Sequence, residues 1–324
     1  MNALDTIKIQ LRSDIERLNA LIRTRLSSGN PLMDTVIEGY LTSKGKQIRP
    51  ILVMLCAGMF GSVDERVLNA AAAVELLHNA SLIHDDVVDD SKLRRNRPTV
   101  NAVWDNHIAV LVGDFFVSTS LQRAIATGDV RIVEAIGNLG KLLSLGEIDQ
   151  IYNAREHTQS EASYFKVIDH KTASLFVACA RVGCYAVDAP ADATDTLAEV
   201  ARLLGLCFQI RDDIFDYFDD GKVGKPTGND LREGKITLPL LHILESGEAP
   251  EAEAMLASQG IPELDDAQIA ELTRLARERG GIDYAYTRMA ALRAEARAHL
   301  DRLPRCDSSA QLARLFDFII SREY

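Results

Sequence analysis

The sequence contains few cysteines, and they follow no recognisable pattern. The five cysteines are scattered and odd in number, without C-x-x-C spacing. Disulfide frameworks and zinc sites usually need paired or regularly spaced cysteines. We therefore expect neither, and we interpret most of these residues as small buried side chains of a protein in the reducing cytoplasm. They are Cys56, Cys179, Cys184, Cys207 and Cys306.

A net positive charge and long apolar runs are also missing. The net charge of −11 argues against nucleic acid or an anionic membrane as a general partner. No charged and apolar leader opens the chain, so we expect no secretory signal. The longest apolar run, around residues 51–60, is too short to span a bilayer. We therefore expect a cytoplasmic location.

Strand patterns, linkers and low-complexity stretches are nearly absent. Segments of helical length lie between breaks rich in glycine, proline and polar residues. A helical fold of 324 residues can keep a single core. The sequence therefore predicts one all-α domain over residues 1–324.

Two of the segments are apolar on most sides. The first opens with Ser62 and Glu65, which have capping-box spacing, and runs to about Asp90. The second covers residues 197–218. A helix that is apolar all round is usually central and buried. We expect these two helices to carry facing carboxylates.

Each of these helices contains a D-D-x-x-D cluster. Buried carboxylates are costly unless cations neutralise them. Helical spacing makes Asp85 project with Asp89, and Asp212 with Asp216. Such hard oxygen ligands predict Mg²⁺ or Mn²⁺, with a phosphate or diphosphate completing the metal shell. Exposed surface charge is the alternative interpretation. The six residues are Asp85, Asp86, Asp89, Asp212, Asp213 and Asp216.

Cations and other donors accompany the clusters in this acidic chain. Lys46 and Arg49 lie at a helix entrance beside Pro50, a favourable place for an anion. Arginine pairs match phosphate oxygens well, although a salt bridge would also explain them. His78 is either a phosphate contact or a core residue. The sequence indicates two anion sites, one reached through metal and one held directly. The remaining donors are Arg94, Arg95, Lys171, Thr172, Gln209, Lys225 and Lys235.

Taken in chain order, these motifs resemble the trans-isoprenyl diphosphate synthases. The similarity extends from about residue 44 to residue 239. Within the family, the sequence resembles the long-chain (octaprenyl diphosphate synthase-like) branch. The last third matches only in general helical character. The motifs are Gly45-Lys46-x-x-Arg49-Pro50, His78, Asp85-Asp86-x-x-Asp89, Arg94-Arg95, Gly113-Asp114, Lys171-Thr172, Phe208-Gln209-x-x-Asp212-Asp213-x-x-Asp216 and Gly234-Lys235-x-Thr237-Leu238-Pro239.

The resemblance implies packed antiparallel helices around a deep central cavity, usually in a homodimer. It implies that isopentenyl diphosphate adds to an allylic diphosphate, with a peripheral membrane contact for product release. Three Mg²⁺ ions would be held by the six aspartates, Asp213 acting through water. Isopentenyl diphosphate would be held by Lys46, Arg49, His78 and Arg95. The allylic diphosphate would be held by Arg94, Lys171, Thr172, Gln209, Lys225 and Lys235.

Two positions depart from the family pattern. Asn96 stands where glycine is common after the arginine pair, and asparagine tolerates left-handed backbone geometry. The loop over residues 224–230 differs from the sequence that is most common in the family at this place. Lys225 lies in this loop, whereas Lys235 belongs to the matching Gly234-Lys235 motif.

Product length is expected to depend on the helix that precedes Asp85. In short-chain family members, bulky aromatic residues about one turn earlier close the tunnel. Ala80 and Ser81 occupy those places here, and Leu77 is next on that wall. We therefore expect an all-trans product of about C30–C50 that grows along this helix. A plug from residues 115–121 is the alternative, and it would give a shorter farnesyl or geranylgeranyl product.

Two rival functions use similar residues. A class I terpene cyclase also needs an aspartate cluster and Mg²⁺, but it ordinarily lacks the second D-D-x-x-D and the isopentenyl-binding cations. A non-catalytic subunit of a heteromeric synthase tends to lose one or both motifs, whereas this chain keeps both.

Overall fold

Helices follow one another along the chain, as the sequence predicts. This computed structural model describes residues 2–42, 45–94, 97–155, 159–218, 227–259 and 264–321. Within those ranges the only strands are β1 (Leu93–Arg94) and β2 (Arg97–Pro98), an antiparallel pair with Leu93 opposite Pro98. The all-α prediction is confirmed.

The helices range from single turns to more than six turns. In the first half of the chain they are α1 (Ala3–Gln10), α2 (Arg12–Leu26), α3 (Pro31–Thr42), α4 (Ile48–Ala57), α5 (Glu65–Val88), α6 (Val100–Val103), α7 (Asn106–Ala126) and α8 (Val130–Arg155). In the second half they are α9 (Glu161–Ile168), a π-helix (Asp169–Ala173), α10 (Ser174–Ala186), α11 (Ala191–Phe215), α12 (Asn229–Arg232), α13 (Leu238–Glu245), α14 (Pro250–Gln259), α15 (Asp266–Glu278), α16 (Gly281–Leu300) and α17 (Asp307–Ser321).

The chain divides into two compact units, each assembled from separate stretches. Several boundaries between the units fall inside helices, among them α8 and α11. The single domain expected over residues 1–324 stays a prediction. Unit 1 comprises Met1–Lys141, Leu175–Ala201 and Leu300–Leu315, and unit 2 comprises Leu142–Ser174, Arg202–His299 and Phe316–Tyr324.

Helix α5 is the central element of unit 1. Its side chains are buried on all sides, from Val67 near its start to Asp86 near its end. It packs against α2, α4, α6 and α7, most extensively against α7. Each large apolar side chain buried in this way contributes roughly 1.5–3 kcal/mol. The prediction of a central buried helix is confirmed here.

Helix α7 runs antiparallel to α5. The hydroxyl of Ser120 donates a 2.6 Å hydrogen bond to the carbonyl of Ala73. At the other end, Gly113 lies so close to His84 that a Cβ would be 2.1 Å from Nε2 of the imidazole. A residue larger than glycine at position 113 would displace the His84 imidazole. These contacts show that α7 presents one face to α5.

Helix α7 also has an exposed apolar face. Among the described residues it is the one helix that is long and apolar enough to cross a membrane by length and composition, although 44% of its apolar window is buried within the fold. Its packing against α5 explains that burial. Its exposed apolar side chains are Val110, Leu111, Val117, Leu121 and Ile125.

In unit 2, α9 continues directly into the π-helix. Ser160 caps α9 by accepting a hydrogen bond from the backbone N–H of Ser163, and the Ser163 hydroxyl accepts one from the backbone N–H of Ser160. Helix α9 packs against α13, which also contacts α14 and α15. A π-helix often occurs at a functional site, and this one contains Lys171 and Thr172.

Two details of the predicted helices differ from the structure. The capping box of Ser62 and Glu65 is wrong: α5 begins at Glu65 and its cap is Asp64, which accepts a 3.0 Å hydrogen bond from the Val67 N–H. A carboxylate there also complements the helix dipole. The second central helix begins earlier than residue 197, at Ala191, because its first turns are polar and escape an apolar pattern.

The cysteine prediction agrees with the structure. All five cysteines are free thiols, and only Cys306 is partly exposed. Burial raises the pKa of the Cys207 thiol to about 12. Such buried thiols are unreactive toward oxidants.

Candidate active site

Asp213 of the second aspartate motif lies in the wall of a cleft in unit 2. Its Oδ2 accepts a 2.6 Å hydrogen bond from the Tyr164 hydroxyl, and its Oδ1 accepts a 2.7 Å bond from the Gln209 amide. The Thr172 hydroxyl donates to Gln209 Oε1 at 2.7 Å. This chain of hydrogen bonds joins α9, the π-helix and α11.

Burial dominates the electrostatics of Asp213. The residue is 5% exposed, and burial raises the pKa of its carboxyl to about 7 while the hydrogen bonds from Tyr164 and Gln209 oppose the rise. A hydrogen bond to a buried carboxylate stabilises the charged form. The two donors therefore support an ionised Asp213 in a place that otherwise disfavours charge.

Asp216 follows the last residue of α11 and caps the short helix α12. Its two carboxylate oxygens accept hydrogen bonds from the backbone N–H groups of Asn229 and Asp230, both at 3.0 Å. The Gly228 N–H donates to the Asp216 carbonyl at 2.9 Å. Asp212 is half-buried. Asp216 thus fixes the start of the segment that leads to Lys235.

The cleft has a volume of about 720 Å³, open mouth included. It brings together five of the residues that the sequence analysis selected, from three separate stretches of chain. These are Lys171, Thr172, Gln209, Asp213 and Lys235. The remainder of its wall combines amides, hydroxyls and apolar side chains, among them Gln150, Asn153, Gln159, Tyr164, Val167, Ile168, Asp230 and Leu241.

The π-helix sets the position of Lys171. A Cβ on Gly146 of α8 would lie 2.8 Å from the backbone nitrogen of Lys171 and 3.1 Å from Cβ of His170. Only glycine permits this approach of α8 to the π-helix backbone. The Lys171 ammonium forms an ion pair with Glu147 and lies 3.3 Å from Gln150 Oε1.

Several residues of this site were not selected from the sequence, among them Tyr164, Gln150 and Asp230. Tyr164 lies in an ordinary amphipathic helix, and nothing in its local pattern marks the hydroxyl as a partner for Asp213. Gln150 and Asp230 are polar residues of kinds that are common on surfaces. Burial raises the pKa of the Asp230 carboxyl above its usual value, with Asp213 and Asp216 adding to the rise. Their roles depend on contacts between distant parts of the chain.

The first aspartate motif lies in unit 1, at the end of α5. Asp86 is 6% exposed and accepts a 2.8 Å hydrogen bond from Arg94 Nε. Burial raises the pKa of the Asp86 carboxyl, and the Arg94 guanidinium opposes the rise. Asp85 is half-buried, whereas Asp89 caps the end of α5 and is exposed. Arg94 thus contacts the first motif directly.

The cations expected to hold isopentenyl diphosphate also belong to unit 1. Lys46 is exposed, Arg49 is half-buried in the first turn of α4, and His78 is 7% exposed on α5. Arg49 and Glu75 both act electrostatically on the Cys179 thiol, the guanidinium lowering its pKa and the carboxylate raising it. His78 follows Glu75 by about one turn of α5. Arg95 and Lys225 lie outside the described residues.

The predicted chain-length residues lie in the part of α5 that α7 covers. Ala80 is fully buried and Leu77 is nearly so, while the Ser81 hydroxyl donates to the His78 carbonyl at 2.9 Å. Phe116 is fully buried on α7. It lies between Gly113 and Ser120 on the same face, and so packs against the α5 segment between the partners of those two residues, His84 and Ala73.

Comparison with known proteins agrees with this collection of motifs. The profile of the family described as "Polyprenyl synthetase" matches residues 30–275. The chain belongs to the polyprenyl synthetase family. The resemblance and the isoprenoid synthase fold expected from the sequence are confirmed, as is the enzyme class, a prenyltransferase.

Three of the similar polyprenyl synthetases illustrate the range of named products. An octaprenyl diphosphate synthase of Haemophilus influenzae is 32% identical and covers 99% of this chain and 98% of its own. The crystal structure of a decaprenyl diphosphate synthase from Rhodobacter capsulatus has a TM-score of 0.92 at 34% identity, covering 99% and 100% of the two chains. That of a geranylgeranyl pyrophosphate synthase from Bacteroides thetaiotaomicron has a TM-score of 0.86 at 35% identity, with the same coverage.

The donor groups of the two motifs of this polyprenyl synthetase are carboxylate oxygens, which suit Mg²⁺ or Mn²⁺. Among the described residues, no three His, Cys, Asp or Glu side chains form a ready-made metal site. Mg²⁺ usually takes only one or two carboxylates and completes its shell with water and substrate phosphate, so the residues fit the ion. Asp213 is the least accessible candidate ligand, because it is buried and both its oxygens accept hydrogen bonds.

Proposed function

We propose that this protein is a Mg²⁺-dependent trans-polyprenyl diphosphate synthase. It condenses an allylic diphosphate with isopentenyl diphosphate in successive 1′-4 additions. The observation that carries the proposal is the cleft of unit 2, where Lys171 and Lys235 line the same wall as Gln209 and Asp213. Cations and carboxylates beside one cleft suit a diphosphate held partly by direct contacts and partly through metal.

The reaction begins with loss of diphosphate from the allylic substrate. Bound Mg²⁺ would neutralise the negative charge that develops on this leaving group. The ammonium groups of Lys171 and Lys235 act on the same charge, which is most effective in a site that excludes water. Asp85, Asp89, Asp212 and Asp216 are the proposed metal ligands, and we place Asp86 and Asp213 behind them because both are buried.

The second substrate would be held in unit 1. Arg49 and His78, with Lys46 at the entrance of α4, are the proposed contacts for the diphosphate of isopentenyl diphosphate. Arg94 is proposed for the allylic side, where its bond to Asp86 would orient its guanidinium. The last proton would go to the departing diphosphate, so no side-chain base is needed. Apolar walls would shelter the carbocation from water.

We propose a long-chain product of about C30–C50. The side chains of Ala80 and Ser81, one turn before Asp85 on α5, are small and leave room for a growing chain. The names of the octaprenyl and decaprenyl relatives support this choice. A shorter product is the second candidate. It is favoured by Phe116, a fully buried aromatic side chain that packs against the same part of α5, and by the geranylgeranyl relative.

We also propose that the protein is a homodimer. The proposal is supported by the exposed apolar side chains along α7, including Leu111 at 63% and Ile125 at 59% exposure, because exposed apolar patches often mark protein–protein interfaces. A second copy would cover these side chains with the same face. We propose further that the protein is cytoplasmic and that it contacts a membrane peripherally when it releases its product.

Product analysis tests the function. Purified protein is incubated with Mg²⁺, farnesyl diphosphate and labelled isopentenyl diphosphate, and the products are separated by chain length. Label in products of about C30–C50 is expected, since Ala80 and Ser81 leave room along α5. A cyclised product without label would show a terpene cyclase. Activity only after a partner protein is added would show a subunit of a heteromeric synthase.

A further inference from the structure

Both lysines in the wall of the unit 2 cleft have a glutamate as counter-ion. Lys171 forms an ion pair with Glu147, and Lys235 forms one with Glu233 at 2.6 Å. The lysines line the cleft, whereas neither glutamate is part of its lining. The carboxylates therefore contact the ammonium groups from outside the cleft wall.

Glu147 is held in place by its own helix. Gln150, one turn later on α8, donates a hydrogen bond to Glu147 Oε1 at 3.3 Å and presents its Oε1 to Lys171 at the same distance. The backbone of Lys171 is fixed by the close approach of Gly146. The pair therefore has a defined geometry.

The Lys171–Glu147 pair is accessible enough to be broken. The Lys171 side chain is 30% exposed and that of Glu147 is 18% exposed. Partly exposed ion pairs contribute about 1 kcal/mol or less to stability. A diphosphate carries more negative charge than one carboxylate and forms stronger charge-assisted hydrogen bonds. It can therefore displace Glu147 from Lys171.

We propose that Glu147 is an internal counter-ion that holds Lys171 at the cleft wall and releases it to the diphosphate group of the bound substrate. Glu147 is thus a positioning residue that acts through Lys171. Its negative charge balances that of the ammonium before substrate binds and weakens the hold of Lys171 on diphosphate afterwards, which favours release of the product. This inference rests on the function proposed for the cleft.

Two roles for Glu147 predict opposite effects of the substitution Glu147→Gln. The glutamine keeps the size of the side chain and a hydrogen bond to Lys171, but it removes the charge. If Glu147 competes with diphosphate for Lys171, the affinity for diphosphate rises. If Glu147 only braces Lys171, the lysine becomes less ordered and the affinity falls.

Calorimetric titration with inorganic diphosphate at fixed Mg²⁺ concentration distinguishes these roles. We expect Glu147→Gln to lower the Kd for diphosphate about tenfold, equivalent to about 1.4 kcal/mol. In steady-state assays both KM for the allylic diphosphate and kcat should fall, because product leaves more slowly. An unchanged or higher Kd would overturn the proposal.

Three further variants sharpen the experiment. Glu134→Gln, an exposed glutamate on the same helix, should leave the Kd unchanged. Glu147→Asp retains the charge and should bind diphosphate like the wild type. In a Lys171→Met background, Glu147→Gln should no longer increase affinity, and a persistent increase would show that Glu147 does not act through Lys171. Wild-type protein that binds no diphosphate would instead contradict the proposed function.

Discussion

The hydroxyl of Tyr164 donates a 2.6 Å hydrogen bond to the buried carboxylate of Asp213, 49 residues further along the chain. The other oxygen of that carboxylate is bonded to Gln209. Asp213 is therefore fixed by α9 from one side and by its own helix from the other. This arrangement distinguishes it from Asp212, its half-buried neighbour.

We expect Tyr164→Phe to lower the free energy of unfolding by about 1–3 kcal/mol, because it leaves a buried carboxylate oxygen without its donor. The KM for the allylic diphosphate should also rise, since Asp213 orients Gln209 and, through it, Thr172. Urea denaturation and steady-state kinetics measure the two effects. Tyr152→Phe serves as the control, because Tyr152 is 59% exposed. Equal stability of the two variants would contradict the prediction.

We expect Gly146→Ala to impair binding of the allylic diphosphate. The added Cβ would lie 2.8 Å from the Lys171 backbone nitrogen, so the π-helix must move and carry the Lys171 side chain with it. Inorganic diphosphate binding should weaken at least severalfold, with KM for the allylic substrate raised in parallel.

Gly137→Ala is the matched control for this change. Gly137 belongs to the same helix, and a Cβ there meets nothing within 4 Å. Alanine in an exposed helix position should stabilise the protein by up to about 1 kcal/mol without altering diphosphate binding. If both alanine variants bind diphosphate like the wild type, the approach of α8 does not position Lys171.

Product length should change when side chains in the contact region between α5 and α7 are made larger or smaller. Ala80→Phe narrows this region and is expected to shorten the product, whereas Phe116→Ala opens it and is expected to lengthen the product. Chromatography of the products with farnesyl diphosphate as primer tests both. Leu111→Ala, on the exposed face of α7, is the control and should not change chain length. A product unaffected by either change would place the growing tail elsewhere.

A cluster of charges in unit 1 predicts a loss of stability in acid. Asp129 accepts hydrogen bonds from Arg131 and Arg66, at 2.6 Å each, and Asp188 accepts from both arginines at 2.7 Å. The hydrogen bond from Arg131 is the main reason that the pKa of Asp129 falls to about 2. The pKa of the Asp188 carboxyl is lowered in the same way, chiefly by Arg66.

The sign of this effect follows from the lowered pKa. A carboxyl with a lower pKa in the folded state stabilises the protein above its unfolded pKa, near 4, and the contribution disappears as the pH falls towards about 2. The difference in unfolding free energy between the wild type and Asp129→Asn should therefore shrink from pH 5 to pH 3. Urea denaturation over this range measures it. A difference that stays constant would contradict the role of the Asp129 charge.

Much of the site could be predicted because its signals are local. The paired aspartates, the Lys171-Thr172 step and the Gly234-Lys235 step are short patterns, and helical periodicity places Asp212 apart from Asp213. The cap of α5 was wrong because Ser62 and Asp64 are both good caps, and only the backbone geometry distinguishes them. The aromatic partner of Asp213 could not be found, because a tyrosine in an amphipathic helix is ordinary.

The sequence by itself determined the all-α class, the two largely apolar helices that carry the aspartate motifs, and the family. These features follow from residue type and from a period of 3.6 residues, both of which are properties of short stretches of chain. The tertiary structure alone decided that Tyr164 holds Asp213, that Glu147 pairs with Lys171, and that Phe116 packs on the segment containing Ala80. Such contacts depend on how helices pack against one another, and burial then decides which polar groups must find a partner.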